Sequence, residues 1–123
     1  MFVISDFLEA DLDHPAWLTP AVRRWEIVPV VVQDPVWEQS FPDAAGLVVP
    51  LQDPRTGRLL DVRLSARTSR SLRRENEGRR GRLLKEIAKL ALDPVLIDSS
   101  DPADIERAFL DWAAGRIDLR RRR

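Results

Sequence analysis

The sequence predicts an α/β fold, an open and mainly parallel sheet with an inserted β-hairpin. Residues 27–32, IVPVVV, form an apolar β-branched run without polar alternation, as expected of a strand covered by helices on both faces. Two shorter apolar runs, MFVISDF at 1–7 and PVLIDSS at 94–100, also close on a carboxylate. Helical patterns separate these runs, and such alternation is the signature of parallel pairing.

The chain has 123 residues, enough for one domain that buries about two-thirds of the surface of its unfolded form. With 44% hydrophobic and 33% charged residues it belongs to the globular class. It contains no cysteine, which excludes disulfides and thiolate metal sites and agrees with a reducing compartment. No apolar run approaches the roughly 20 residues that span a bilayer, and Met1 to Ile4 lacks the basic flank of a signal peptide. A cytoplasmic location is expected.

Taken in order, the first strand is expected near 2–6, ending at Ser5 and Asp6. His14, the single histidine, has no second ligand beside it and is read as a loop or helix-start residue. Thr19 and Pro20 suit an N-cap and a first helical position, so 15–25 is expected to be a crossover helix. The central strand follows near 27–33, with Pro29 near its start or facing a side where no donor is needed. Ligands of open α/β sheets sit outside the carboxyl ends of strands, which directs attention to Asp34, Trp37 and Glu38.

A hairpin is predicted over 46–65, with strands 46–52 and 58–65 around Asp53, Pro54, Arg55, Thr56 and Gly57. Leu60, Val62 and Leu64 alternate with Asp61 and Arg63, so one face is expected to be buried and the other wet. Ser65 or Thr68 can cap a basic helix of about 66–92, whose second half carries a stripe of Leu83, Leu84, Ile87, Ala88 and Ala91. Its first half reads as solvated, weakened by Gly78 and Gly81. A third parallel strand is expected near 95–98, ending at Asp98. Asp101 and Pro102 then start a last helix packed through Ile105, Ala108, Phe109 and Trp112. Gly115 is expected to end that helix, leaving a disordered arginine tail at 119–123.

Net charge is zero but unevenly spread. Residues 1–62 carry ten acids against four arginines, net −6, and residues 63–123 ten acids against sixteen basic residues, net +6. Arg67, Arg70, Arg73, Arg74, Arg79, Arg80 and Arg82 form a candidate surface for an acidic partner or nucleic acid. No aromatic residue interleaves them to stack on bases, which favours a solvated helix face over nucleic-acid binding.

The order of ISDF, a helix, VPVVVQDPVWEQSFP, a hairpin around DPRTG, an arginine-rich helix, VLIDSS and a terminal helix resembles the C-terminal half of the Domain of Unknown Function 58 family. The resemblance implies that 1–123 is the C-terminal half of a von Willebrand factor A-like, Rossmann-like domain. It also implies association with MoxR-type AAA+ ATPases. Such domains bind a divalent cation through an Asp-x-Ser-x-Ser loop, a threonine and a strand-end aspartate, and only the aspartate has a counterpart here, Asp6. One carboxylate holds Mg²⁺ weakly, since the ion wants octahedral oxygen coordination. In that arrangement the first strand would pair with one this sequence lacks, leaving an open edge that carries Phe2, Val3 and Ile4 and favours self-association.

The first functional reading is a non-enzymatic protein-interaction module with an AAA+ ATPase as partner. Its candidate ligand or partner edge comprises Ser5, Asp34, Trp37, Glu38 and Asp98. The alternative is a metal-dependent phosphoryl-transfer or hydrolytic enzyme using Asp6, Asp34 and Asp98, which share one sheet edge. No glycine-rich phosphate loop, catalytic lysine or nucleophile with a base accompanies them, so no catalytic residue is assigned.

Overall fold

The computed structural model describes residues 1–9 and 25–121, so His14 and the expected crossover helix lie outside the described residues. Strand β1 (Phe2–Ser5) pairs in parallel with β2 (Val28–Val32), which pairs in parallel on its other side with β5 (Val95–Ile97). Strands β3 (Val48–Gln52) and β4 (Leu59–Arg63) form a separate antiparallel hairpin. Helix α1 (Ala66–Lys89) links β4 to β5, and α2 (Pro102–Arg121) follows β5. The expected α/β class with a mainly parallel open sheet and a hairpin is what the chain adopts.

The unbroken apolar run becomes the central strand because both of its faces are covered. Val31 packs with Phe7, Leu83 and Ile87 on the α1 side, while Val28 and Val30 join Val95 and Ile97 on the other. Against that second face lie Ile105, Ala108, Phe109 and Trp112, the stripe expected of α2. Pro29 fits for a positional reason. Val28 N–H goes to the Met1 carbonyl and Gln33 N–H to the Ile97 carbonyl, so residues 29, 31 and 33 face β5. Pairing with β5 begins only at Val30 opposite Val95, so the missing donor of Pro29 falls before that ladder starts.

Both helix starts follow the sequence signals. Ser65 Oγ accepts from Thr68 N–H (3.0 Å), and Asp101 Oδ1 accepts from Ala103 N–H (2.8 Å). The ends differ from expectation. Helix α1 stops at Lys89 rather than near 92: Ala91 adopts φ 54°, and Leu92 N–H returns to the Ile87 carbonyl (3.1 Å), a left-handed C-terminal turn on alanine where glycine is usual. Ala88 and Ala91 are accordingly exposed, leaving Leu83 and Ile87 as the buried part of the stripe.

Helix α2 does not end at Gly115. It runs to Arg121, into the segment expected as a disordered tail. One glycine costs a helix only about 1 kcal/mol. Beyond it Arg116 lies over the Trp112 ring (4.9 Å) and pairs with Glu26, contacts that continued helix makes available.

The hairpin register puts Val49 opposite Val62 and Leu51 opposite Leu60, so these four share one apolar face. That face is less covered than expected. Leu64, at its root, is 2% exposed, whereas Leu51 and Leu60 are 45% and 49% exposed.

Candidate interaction site at the carboxyl edge of the sheet

Parallel pairing brings the ends of β1, β2 and β5 to one edge, which places Ser5, Asp6, Asp34 and Asp98 there as expected. The side chains then diverge in role. Asp6 Oδ1 accepts from Leu8 N–H (3.1 Å) and Ser5 Oγ accepts from Phe7 N–H (3.1 Å), so both shape the turn after β1. Buried Gln33 ties the edge together, its Nε2 donating to the Asp6 carbonyl (2.7 Å). Its Oε1 has no hydrogen-bond partner among the described residues.

After β2 the chain makes one tight turn built on Asp34. Its Oδ1 accepts from Val36 N–H (2.8 Å) and Trp37 N–H (2.9 Å), while Glu38 Oε2 reaches back to Asp34 N–H (2.7 Å). This reciprocal arrangement works as a capping box does: each carboxylate satisfies donors that the turn itself leaves free. Asp34 and Glu38 are thus joined through the backbone. Among the described residues no three histidine, cysteine, aspartate or glutamate side chains lie close enough together to hold a metal ion.

The turn is fixed from outside by α1. Asn76, buried in the half of the helix that reads as solvated, donates through Nδ2 to the carbonyls of Trp37 (3.0 Å) and Ser40 (2.6 Å). Arg73 Nε donates to the Phe41 carbonyl (2.9 Å), and Arg79 bridges the Glu38 carbonyl and Asn76 Oδ1 (3.4 and 3.1 Å). Ser40 Oγ also donates to Glu77 (3.1 Å). The arginine surface therefore divides. Arg67, Arg70, Arg74 and Arg82 are exposed and Arg80 is half-buried, whereas Arg73 and Arg79 brace the 34–41 turn.

The clamped turn presents an apolar surface. Trp37 stacks edge-on against Phe41 (5.4 Å between ring centroids) yet stays 47% exposed, as does Val36. Trp37 is marked by its place just after the central strand, whereas the only signal for Asn76 is an asparagine placed in a helix interior, where propensity disfavours it.

Comparison with known proteins adds one match. No curated protein and no solved structure matches the chain. Residues 1–82, from β1 through most of α1 and including the whole clamped turn, match the family described as Protein of unknown function DUF58. That span is two-thirds of the sequence, and the chain belongs to the DUF58 family.

Proposed function

We propose that the chain is a non-enzymatic protein-interaction module, resembling the von Willebrand factor A-like part of MoxR-associated proteins, with an AAA+ ATPase as its partner. The observation that carries this reading is Trp37, a half-exposed tryptophan on a turn whose backbone is held from three α1 side chains. An exposed aromatic on a preorganised loop is the kind of anchor that dominates protein interfaces, because little ordering cost is left when a partner closes over it. The strand-end carboxylates support the same reading, since Asp6 and Asp34 spend oxygens on their own turns. They do not fit a tight Mg²⁺ site: Asp6 and Ser5 would supply roughly a third of an octahedral shell.

Binding of a MoxR-type AAA+ ATPase to the immobilised chain tests the proposal. Trp37→Ala should weaken it by about tenfold or more with the melting temperature little changed. Equal binding by parent and variant, or none by either, would remove the reading.

A further inference from the structure

The geometry points to a second surface, distinct from the 34–41 turn: a groove along the free edge of β5 that takes an extended peptide segment with basic side chains. Its volume is about 620 Å³, and it lies between β5 and α2. Residues 31 and 33 of β2 face β5, and Val31 stands opposite Leu96, so the ladder uses the backbone groups of Val95 and Ile97. The N–H and C=O of Leu96 point the other way. Among the described residues no strand pairs with them, and Leu96 is one of the residues lining the groove. An unpaired donor and acceptor at an exposed strand edge are a template for one more strand.

Charge selects the occupant. Asp93, Asp98, Asp104 and Asp111 line this groove with a single base, Arg107. Arg107 is spoken for by Asp104 (3.6 Å), and Asp104 also accepts from Ser99 Oγ (2.8 Å). Asp98 and Asp111 form no ion pair among the described residues and stand on opposite walls, one on the β5 end and one on α2. A strand added at this edge turns alternate side chains towards α2, about 7 Å apart, while Asp104 and Asp111 lie two turns apart on the helix, about 10 Å. Arginine or lysine at every second position can therefore reach the α2 carboxylates while the backbone pairs with Leu96, and Asp98 adds to the negative field at the end of β5. The edge is only three residues long, which limits indiscriminate pairing and leaves the carboxylates to choose the sequence.

Fluorescence anisotropy with a labelled Arg-Val-Arg-Val-Arg-Val peptide tests this on the full chain. Binding should weaken by about tenfold in Asp98→Asn/Asp111→Asn, and steeply when salt rises from about 50 to about 500 mM. A peptide N-methylated at alternate residues, with the same charge but no ladder donors, should lose binding as well. Trp37→Ala should bind the peptide like the parent, which separates this groove from the clamped turn. No binding by the parent peptide, or equal binding by the methylated peptide or by the Asp98/Asp111 variant, would overturn the proposal.

Discussion

The indole nitrogen of Trp112 donates to the carbonyl oxygen of Asp93 at 3.0 Å, filling a place that Pro29 leaves open. Gln33 N–H bonds the Ile97 carbonyl, and a parallel ladder repeats every two residues, so residue 29 would donate to residue 93. Proline has no proton to give. The side chain from α2 closes the account and pins that helix to the start of β5. Trp112→Phe should destabilise the chain by about 1–2 kcal/mol in chemical denaturation, and adding Pro29→Val should recover part of the loss by extending the β2–β5 ladder one bond to the Asp93 carbonyl. Strictly additive effects of the two substitutions would show that the carbonyl is not shared between them.

Asn76 is the next position where one side chain serves several backbone groups. Its amide meets two carbonyls of the 34–41 turn, and its own oxygen accepts from Arg79. Asn76→Leu keeps the bulk and removes all three bonds, leaving the turn carbonyls without their donor. A loss of about 2–3 kcal/mol is expected, together with faster hydrogen exchange at the amides of residues 36–41. Asn76→Leu with unchanged exchange there would mean that the Asp34 cap alone holds the turn.

These two residues mark the limit of what the sequence discloses. The central strand is legible because residues 27–32 leave no polar face, and the hairpin because Asp53 and Gly57 satisfy the chemistry of a turn. Asn76, Arg73 and Arg79 are not, because polar residues on a helix read as solvated unless the carbonyls they meet are known, and those lie more than thirty residues away. The helix ends fail for a related reason. Gly115 is a stop signal by propensity alone, and the Arg116 contacts with Trp112 and Glu26 that favour continuation are tertiary. Ala91 takes a left-handed turn position without being the glycine that pattern reading looks for. At the sheet edge, position was legible from strand order alone, whereas the diversion of Asp6 and Asp34 into capping was visible only as side-chain geometry.

The hairpin turn should carry a pH dependence whose sign follows from its hydrogen bonds. Asp53 accepts from Thr56 Oγ1 (2.8 Å) and Arg55 N–H (2.8 Å), and these bonds hold its carboxyl below the ordinary value of 3.8. A depressed folded value means that the turn's stabilisation is fully present above the unfolded value and is lost as pH falls through the folded one. Carbon-13 titration of the Asp53 carboxyl should give a midpoint below 3.8, with the Arg55 and Thr56 amides shifting together with it. Asp53→Asn should abolish that shared transition. A midpoint at or above the ordinary value would contradict the assignment of these bonds.

The other outer strand supports a prediction about association. Val28 N–H bonds the Met1 carbonyl, so residues 1, 3 and 5 face β2 and the backbone groups of Phe2 and Ile4 face away from it. On the side chains' own face the two residues part company. Phe2 packs edge-on against Phe109 and Trp112 (5.7 and 5.8 Å), whereas Ile4 is 68% exposed. Among the described residues no strand pairs with that side of β1, and an apolar side chain beside such backbone invites pairing with another chain, for which a lysine within the strand is the usual deterrent. Ile4→Lys should therefore lower concentration-dependent light scattering while moving stability by no more than about 0.5 kcal/mol, since little packing is lost at so exposed a site. Phe2→Lys is the contrasting variant, because it removes the ring that α2 packs against and should unfold the chain at lower denaturant. If Ile4→Lys scatters like the parent, association does not run through the β1 edge, and the exposed hairpin face of Leu51 and Leu60 becomes the surface to substitute next.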